Sequence, residues 1–373
     1  MGKEAKMEAK MKEREVFLDR LRVAATCAVV MLHTATGAMD ITDMTLYPAQ
    51  QRVFYALLDV IGWCVPVFLM ISGYLFLNPA KEIGMKRMVT KYCRRILLAL
   101  FGFGAPYALL EQIATERSFR PDMVGRSFLM VLRGESWSHM WYLYRILFLY
   151  LLTPAVKWIL ARVPRWTVYM ALSLLLAVCS LLPCLCRLLG LEWADRLPEE
   201  GIYFFYYVCG YLFATGIPAD CSGQERAGAY GGLSEAGHRP GTDRKGMILL
   251  ILAALLAAAM GYGKLSGGIT LVMAYNYPLT VLLALLIFGG AKLSRRKASQ
   301  RGEASLKQLG QLSFAVYLVH PVFLNLAYKF LHVTPLSVGQ GISLPIFFLA
   351  TLLLAGGIAW VLYQIPLLRK YVI

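Results

Sequence analysis

Charge is scarce in this chain. Only 16% of its residues are Asp, Glu, Lys or Arg, against about 25% in an ordinary soluble domain. With 58% hydrophobic residues and a mean hydropathy of +0.57, that shortfall excludes a water-soluble globular fold. Acidic residues are scarcer still: 22 Asp and Glu stand against 38 Lys and Arg, a net charge of +16. Zinc-type CxxC pairs are missing, and no metal site is expected. The eight cysteines give no disulfide framework. Most of them, such as Cys27, Cys64, Cys93, Cys179 and Cys209, lie inside apolar runs, where cysteine behaves as a small hydrophobe. Cys184 and Cys186 are too close in sequence for mutual pairing. There is no short internal repeat. The first apolar run lacks a short core with a small-residue cleavage site, so it reads as a retained span.

What is present is a succession of apolar runs of roughly 20 residues, each able to cross the hydrocarbon core as a helix. Ten are counted, at about 23–39, 53–77, 96–113, 140–156, 167–189, 202–217, 247–262, 269–291, 312–331 and 344–365. The expected fold is all-α: a polytopic membrane helix bundle of about ten transmembrane helices. It forms one transmembrane domain over 23–373, behind an N-terminal segment over 1–22.

The basic residues give the topology. With the N-terminus in the cytoplasm, successive cytoplasmic segments hold roughly seven, six, three, four, six and two Lys or Arg. The opposite loops hold roughly one, four, two, one and none. That is the positive-inside pattern, and it predicts a multi-pass inner-membrane protein with both ends in the cytoplasm. It also accounts for the basic balance, so the expected partner is the lipid bilayer and not nucleic acid. The second outer loop departs, with Arg117, Arg120, Arg126 and Arg133. An anionic substrate surface and interfacial snorkelling both explain it. The stretch 218–246, rich in Gly, Ser and charge, reads as a flexible cytoplasmic loop.

An ionisable residue inside a span is costly and marks function by default. His33 lies in the first run, eleven residues after Arg22. At about 100° and 1.5 Å per residue, the two sit roughly 20° apart on one helix face and about 16 Å apart along it. Arg22 is then interfacial and His33 deep, where an imidazole can serve as a general base or simply hydrogen-bond between helices. A second cluster, Lys86, Arg87, Lys91, Arg94 and Arg95, enters the third run. It suits phosphate groups and equally an ordinary positive-inside anchor. In the ninth run Ser313, Tyr317 and His320 share one face at i, i+4 and i+7, ahead of Pro321, which should loosen the helix. His139 precedes Trp141 and Tyr142 at the start of the fourth run, where an aromatic belt also accounts for the rings.

Together these segments resemble the acyltransferase 3 family of integral membrane enzymes. The resemblance rests on Asp19-Arg20-Leu21-Arg22-Val23-Ala24 with Val30-Met31-Leu32-His33, then Val65-Pro66-Val67-Phe68-Leu69-Met70-Ile71-Ser72-Gly73-Tyr74-Leu75. His139-Met140-Trp141-Tyr142-Leu143, Tyr207-Val208-Cys209-Gly210-Tyr211 and Ser313-Phe314-Ala315-Val316-Tyr317-Leu318-Val319-His320 follow in order. It implies transfer of an acyl group, usually acetyl, from cytoplasmic acyl-CoA to a hydroxyl of an envelope glycan, as in surface polysaccharide O-acetylation. Acyl-CoA is then a co-substrate, and no permanently bound cofactor is expected. The implied roles are His33 as catalytic residue, either the base toward the acceptor hydroxyl or a covalent carrier of the acyl group, and Arg22, Arg94, Arg95 and Lys91 as donor-binding groups. Ser72, His139, Trp141, Ser313, Tyr317 and His320 are supporting candidates, with Ser72, Ser313 or Tyr317 facing the developing oxyanion. The family's Arg-x-x-Arg pair entering the third span is altered: if Arg95 is the second member, Tyr92 holds the first position, and Lys91-x-x-Arg94 is a shifted substitute. The rival reading is a transporter or flippase for a lipid-linked glycan, although matching inverted halves are not visible.

Overall fold

The computed structural model describes residues 15–81, 83–191, 196–216, 241–268, 274–294, 300–339 and 341–372. No strand occurs among them. The helices are α1 (Val16–Asp40), α2 (Pro48–Ile61), α3 (Cys64–Phe76), α4 (Arg94–Glu116), α5 (Asp122–Arg133), α6 (Trp141–Leu160), α7 (Arg165–Leu176) and α8 (Leu182–Leu188). They continue as α9 (Gly201–Thr215), α10 (Gly241–Leu265), α11 (Pro278–Leu293), α12 (Gln300–Asn325), α13 (Leu344–Gln364) and α14 (Pro366–Tyr371).

Seven helical stretches among the described residues are long and apolar enough to cross a membrane. They are 48–76, 85–116, 138–160, 165–188, 243–265, 301–330 and 344–364. α9 and α11 are shorter apolar helices of 15 and 16 residues. α1 adds 25 residues that carry Arg22 and His33. The all-α bundle expected from the apolar runs is therefore the observed fold, and the chain is a multi-pass membrane protein. The outer flanks of α10 and α13 expose Leu250, Ile251, Leu255, Leu349, Leu353 and Leu354, a surface that only lipid can cover without cost.

Several elements depart from the sequence reading. The second run is two helices, broken at Gly62 and Trp63. Pro66 supplies the reason, because its ring clashes with the carbonyl four residues back and it donates no hydrogen bond there. Pro321 does not end α12, which carries it internally; the loosening comes later, as a π-helical turn over Leu326–Phe330. Residues 241–246, expected as the end of a flexible loop, are the first turns of α10. Residues 217–240 of that loop lie outside the described residues.

The loop after α4 contains a helix that was not anticipated. In α5, Met123, Ser127 and Val131 are buried, whereas Val124, Phe128, Leu129 and Leu132 are exposed. Arg120 and Arg126 are paired with Glu116 and Asp122 at 3.1–3.4 Å. Two of the four arginines that hinted at an anionic substrate surface are thus neutralised locally. An exposed apolar face beside paired charges is the form of a helix lying in the membrane interface.

Close packing of α3 on α9 sets the centre of the bundle. A methyl group at Gly73 would overlap the Tyr207 carbonyl, and one at Gly210 would overlap the Met70 carbonyl. The two backbones approach this closely only because both positions are glycine. Away from this seam, α10 is tied to α2 by an ion pair between Lys264 and Asp59 at 3.8 Å, with side chains only 6% and 2% exposed.

Candidate functional site

A cavity of about 440 Å³ opens between α1, α3, α4, α6, α12 and α13. At its mouth, Arg22 and Arg95 come from the starts of α1 and α4, and Arg369 comes from α14. Arg22 is fixed by Asp19, which is buried and 2.7 Å away. Gly310 makes room for that carboxylate, since a methyl group there would press on the Asp19 side chain. Arg95 donates from Nε to the Val372 carbonyl at 3.1 Å and lies over the Phe314 ring at 5.3 Å. A π-helical turn over Met88–Cys93 precedes α4 and sets Tyr92 on the inward face with Arg95.

Deeper in, the walls are mostly aromatic and aliphatic. Trp141 stacks on Tyr275, with ring centroids 5.8 Å apart. Tyr142, Ile146 and Tyr150 line the wall from successive turns of α6. Ser72 faces the Tyr142 and Tyr150 hydroxyls. A narrow uncharged arm fits such a channel better than a second charged group does.

His33 lies at the inner end. It is only half-buried, because its ring opens to the cavity while protein encloses it on the other sides. Two further imidazoles meet it there. The His33 ring is 5.2 Å from His320 and 6.4 Å from His139, and those two are 5.9 Å apart, centroid to centroid. The three come from α1, from the turn Ser138–Met140 and from α12. Nδ1 of His320 lies 2.9 Å from the Tyr317 carbonyl and 3.1 Å from that of Val316. Carbonyls only accept, so Nδ1 carries the hydrogen, and in the neutral ring Nε2 is a bare lone pair. That Nε2 is buried with no hydrogen-bond partner, and so is Nε2 of His139. Buried polar atoms rarely stay unpaired, and His139 lines the cavity, so its Nε2 marks a place for a polar ligand atom. Among the described residues, no group of three or more His, Cys, Asp or Glu side chains is placed to hold a metal ion.

The cavity brings together Arg22, His33, Ser72, Arg95, His139, Trp141, Ser313 and Tyr317, and His320 stands behind its wall against His33. Lys91 and Arg94 do not join them. Both are exposed, with Lys91 over the Tyr92 ring at 5.5 Å and Arg94 over Tyr371 at 4.9 Å. Two hydroxyls considered for an oxyanion are engaged elsewhere. Tyr317 donates to the His139 carbonyl, and Ser313 donates to Leu309 at 3.2 Å. Ser72, unlike those two, is set against side-chain hydroxyls that themselves line the channel, those of Tyr142 and Tyr150.

Arg369, Tyr150 and Tyr275 also line the site, beyond the residues expected from the sequence. The four-residue spacing of Tyr142, Ile146 and Tyr150 was an available signal; nothing local marks Arg369. The arrangement can hold a polyanion at one end, thread an uncharged arm, and present an electrophile to an imidazole. A family model described as an acyltransferase domain matches residues 15–364, nearly the whole chain. No curated protein and no solved structure gave a significant match.

Proposed function

This chain belongs to the acyltransferase 3 family, and on that premise we propose that it moves an acyl group, acetyl by default, from cytoplasmic acyl-CoA to a hydroxyl of an envelope carbohydrate or lipid-linked glycan. The observation that carries this reading is one cavity lined by three arginines at one end and by His33 at the other. Arg22 and Arg95 receive the donor's pyrophosphate, since guanidinium forks match phosphate oxygens. The pantetheine arm then runs along the aromatic wall, over the roughly 16 Å that separates Arg22 from His33 on α1. The positive-inside pattern supports a mouth on the cytoplasmic side.

In the proposed reaction a bare ring nitrogen of His33 takes the proton of the acceptor hydroxyl. The hydroxyl oxygen bonds to the thioester carbonyl carbon, the carbon–sulfur bond breaks, and the proton on His33 passes to the departing thiolate. The Ser72 hydroxyl faces the carbonyl oxygen as charge develops on it. While His33 holds the proton, the lone pair on Nε2 of His320, whose ring lies 5.2 Å away centroid to centroid, favours the imidazolium electrostatically.

Radiolabelled acetyl-CoA, incubated with membranes that contain the folded protein and their native glycans, tests the reading. Label should pass to a glycan fraction, whereas a transporter leaves no acetylated product. Failure to transfer label would sink the proposal. Two substitutions test its parts. Arg95→Ala should weaken acyl-CoA binding about 10- to 100-fold, the worth of a hydrogen bond to a charged group. Unchanged affinity would remove Arg95 from the donor site. His320→Leu, close in volume but with no lone pair, should slow transfer by a similar factor of about 10- to 100-fold without changing donor affinity. A wild-type rate would show that His320 only fills space.

A further inference from the structure

The last described residues fold back over the cavity mouth, beyond the end of the family match at residue 364. α14 packs Leu368 against the bundle, and Val372 follows it there. Two contacts tie this tail to the site. The Val372 carbonyl accepts from Nε of Arg95 at 3.1 Å, and Arg369 itself lines the cavity with Arg22 and Arg95.

The three arginines are not equivalent. Arg22 is engaged with buried Asp19. Arg95 is half-buried, and its Nε hydrogen goes to the tail, so that its Nη hydrogens are the ones left to turn toward a ligand. Arg369 is exposed at the rim, with its guanidinium 5.6 Å above the Tyr363 ring. Tyr363 in turn donates to Gln311 at 3.2 Å, which holds the platform under Arg369 in place.

Coenzyme A orders its anionic groups along its length. The pyrophosphate adjoins the pantetheine arm, and the ribose 3′-phosphate is the farthest from the thioester. With the thioester at His33 the pyrophosphate meets Arg22 and Arg95, and the 3′-phosphate lies outside them. We propose that Arg369 binds this 3′-phosphate, and that the Val372 carbonyl orients Arg95 for the pyrophosphate, so that the C-terminal tail is part of the donor site. This assignment rests on the acyl-CoA reading given above.

The test is calorimetric titration of the purified full chain in lipid nanodiscs, with acetyl-CoA and with 3′-dephospho-acetyl-CoA. Arg369→Gln should weaken acetyl-CoA about 10- to 100-fold and leave the dephospho analogue bound as by wild type. Arg369→Lys should recover much of the loss, because it restores the charge without the fork. An Arg369→Gln protein that binds acetyl-CoA as wild type does, or that loses affinity equally for both ligands, overturns the assignment. If the wild type binds neither ligand, the donor reading itself fails; binding to wild type with no selective effect of Arg369→Gln defeats the tail's role alone.

Discussion

His33→Ala protein should insert, fold and bind acyl-CoA, yet transfer acyl groups about 10²- to 10⁴-fold more slowly, the range that a positioned acid–base group contributes. Folding should survive because His33 is only half-buried and faces a cavity, so its truncation enlarges an existing space and leaves no new void in a packed core. His33→Gln should lose as much, since an amide can hydrogen-bond to the acceptor but cannot take its proton. His139, whose Nε2 has no hydrogen-bond partner at the same end, is the natural source of residual turnover, and adding His139→Leu should remove it. Initial rates at saturating donor, with donor affinity measured separately, decide the matter. A folded His33→Ala protein that works at the wild-type rate would leave the scheme without its base.

Gly210→Ala should have a large effect on folding. The added methyl overlaps the Met70 carbonyl and crowds the Tyr74 amide, both on α3. These are backbone atoms of a neighbouring helix and cannot swing aside as a side chain would. The helices must separate, which also disturbs Tyr207 on α9 and its 2.7 Å hydroxyl pair with Thr153 of α6. A loss of about 3 kcal/mol, the upper end of ordinary overpacking, is a fair minimum. Gly356→Ala in α13 is the control, because no atom lies within 4 Å of its added methyl. Thermal melts in one detergent compare the two: a clear drop is expected for Gly210→Ala and little change for Gly356→Ala. Equal melting temperatures would mean that the α3–α9 contact is looser than described.

The register of Arg22 and His33 was readable because it depends only on the period of one helix, and both residues line one cavity. The apolar runs were readable for a similar reason, since a span's length and composition are local. The meeting of His139 and His320 with His33 was not, because it depends on how the turn before α6 and the middle of α12 dock on α1. Arg369 was invisible for the same reason: only the return of α14 across the mouth distinguishes it from an ordinary terminal cation. Lys91 and Arg94 misled in the opposite direction, since their spacing fits a phosphate site while the structure turns both outward. α5 escaped because one of its apolar faces is packed and the other exposed, so the pattern reads neither as a span nor as a loop.

The bond between Asp59 and Lys264 bears on how the chain is made. Asp59 and Lys264 are buried charges on α2 and α10, and each is costly to hold in lipid until the other lies beside it. The ribosome delivers α2 long before α10. The carboxylate must therefore take up a proton or stay near water until the lysine arrives, and insertion of the two helices becomes one coupled event in biogenesis.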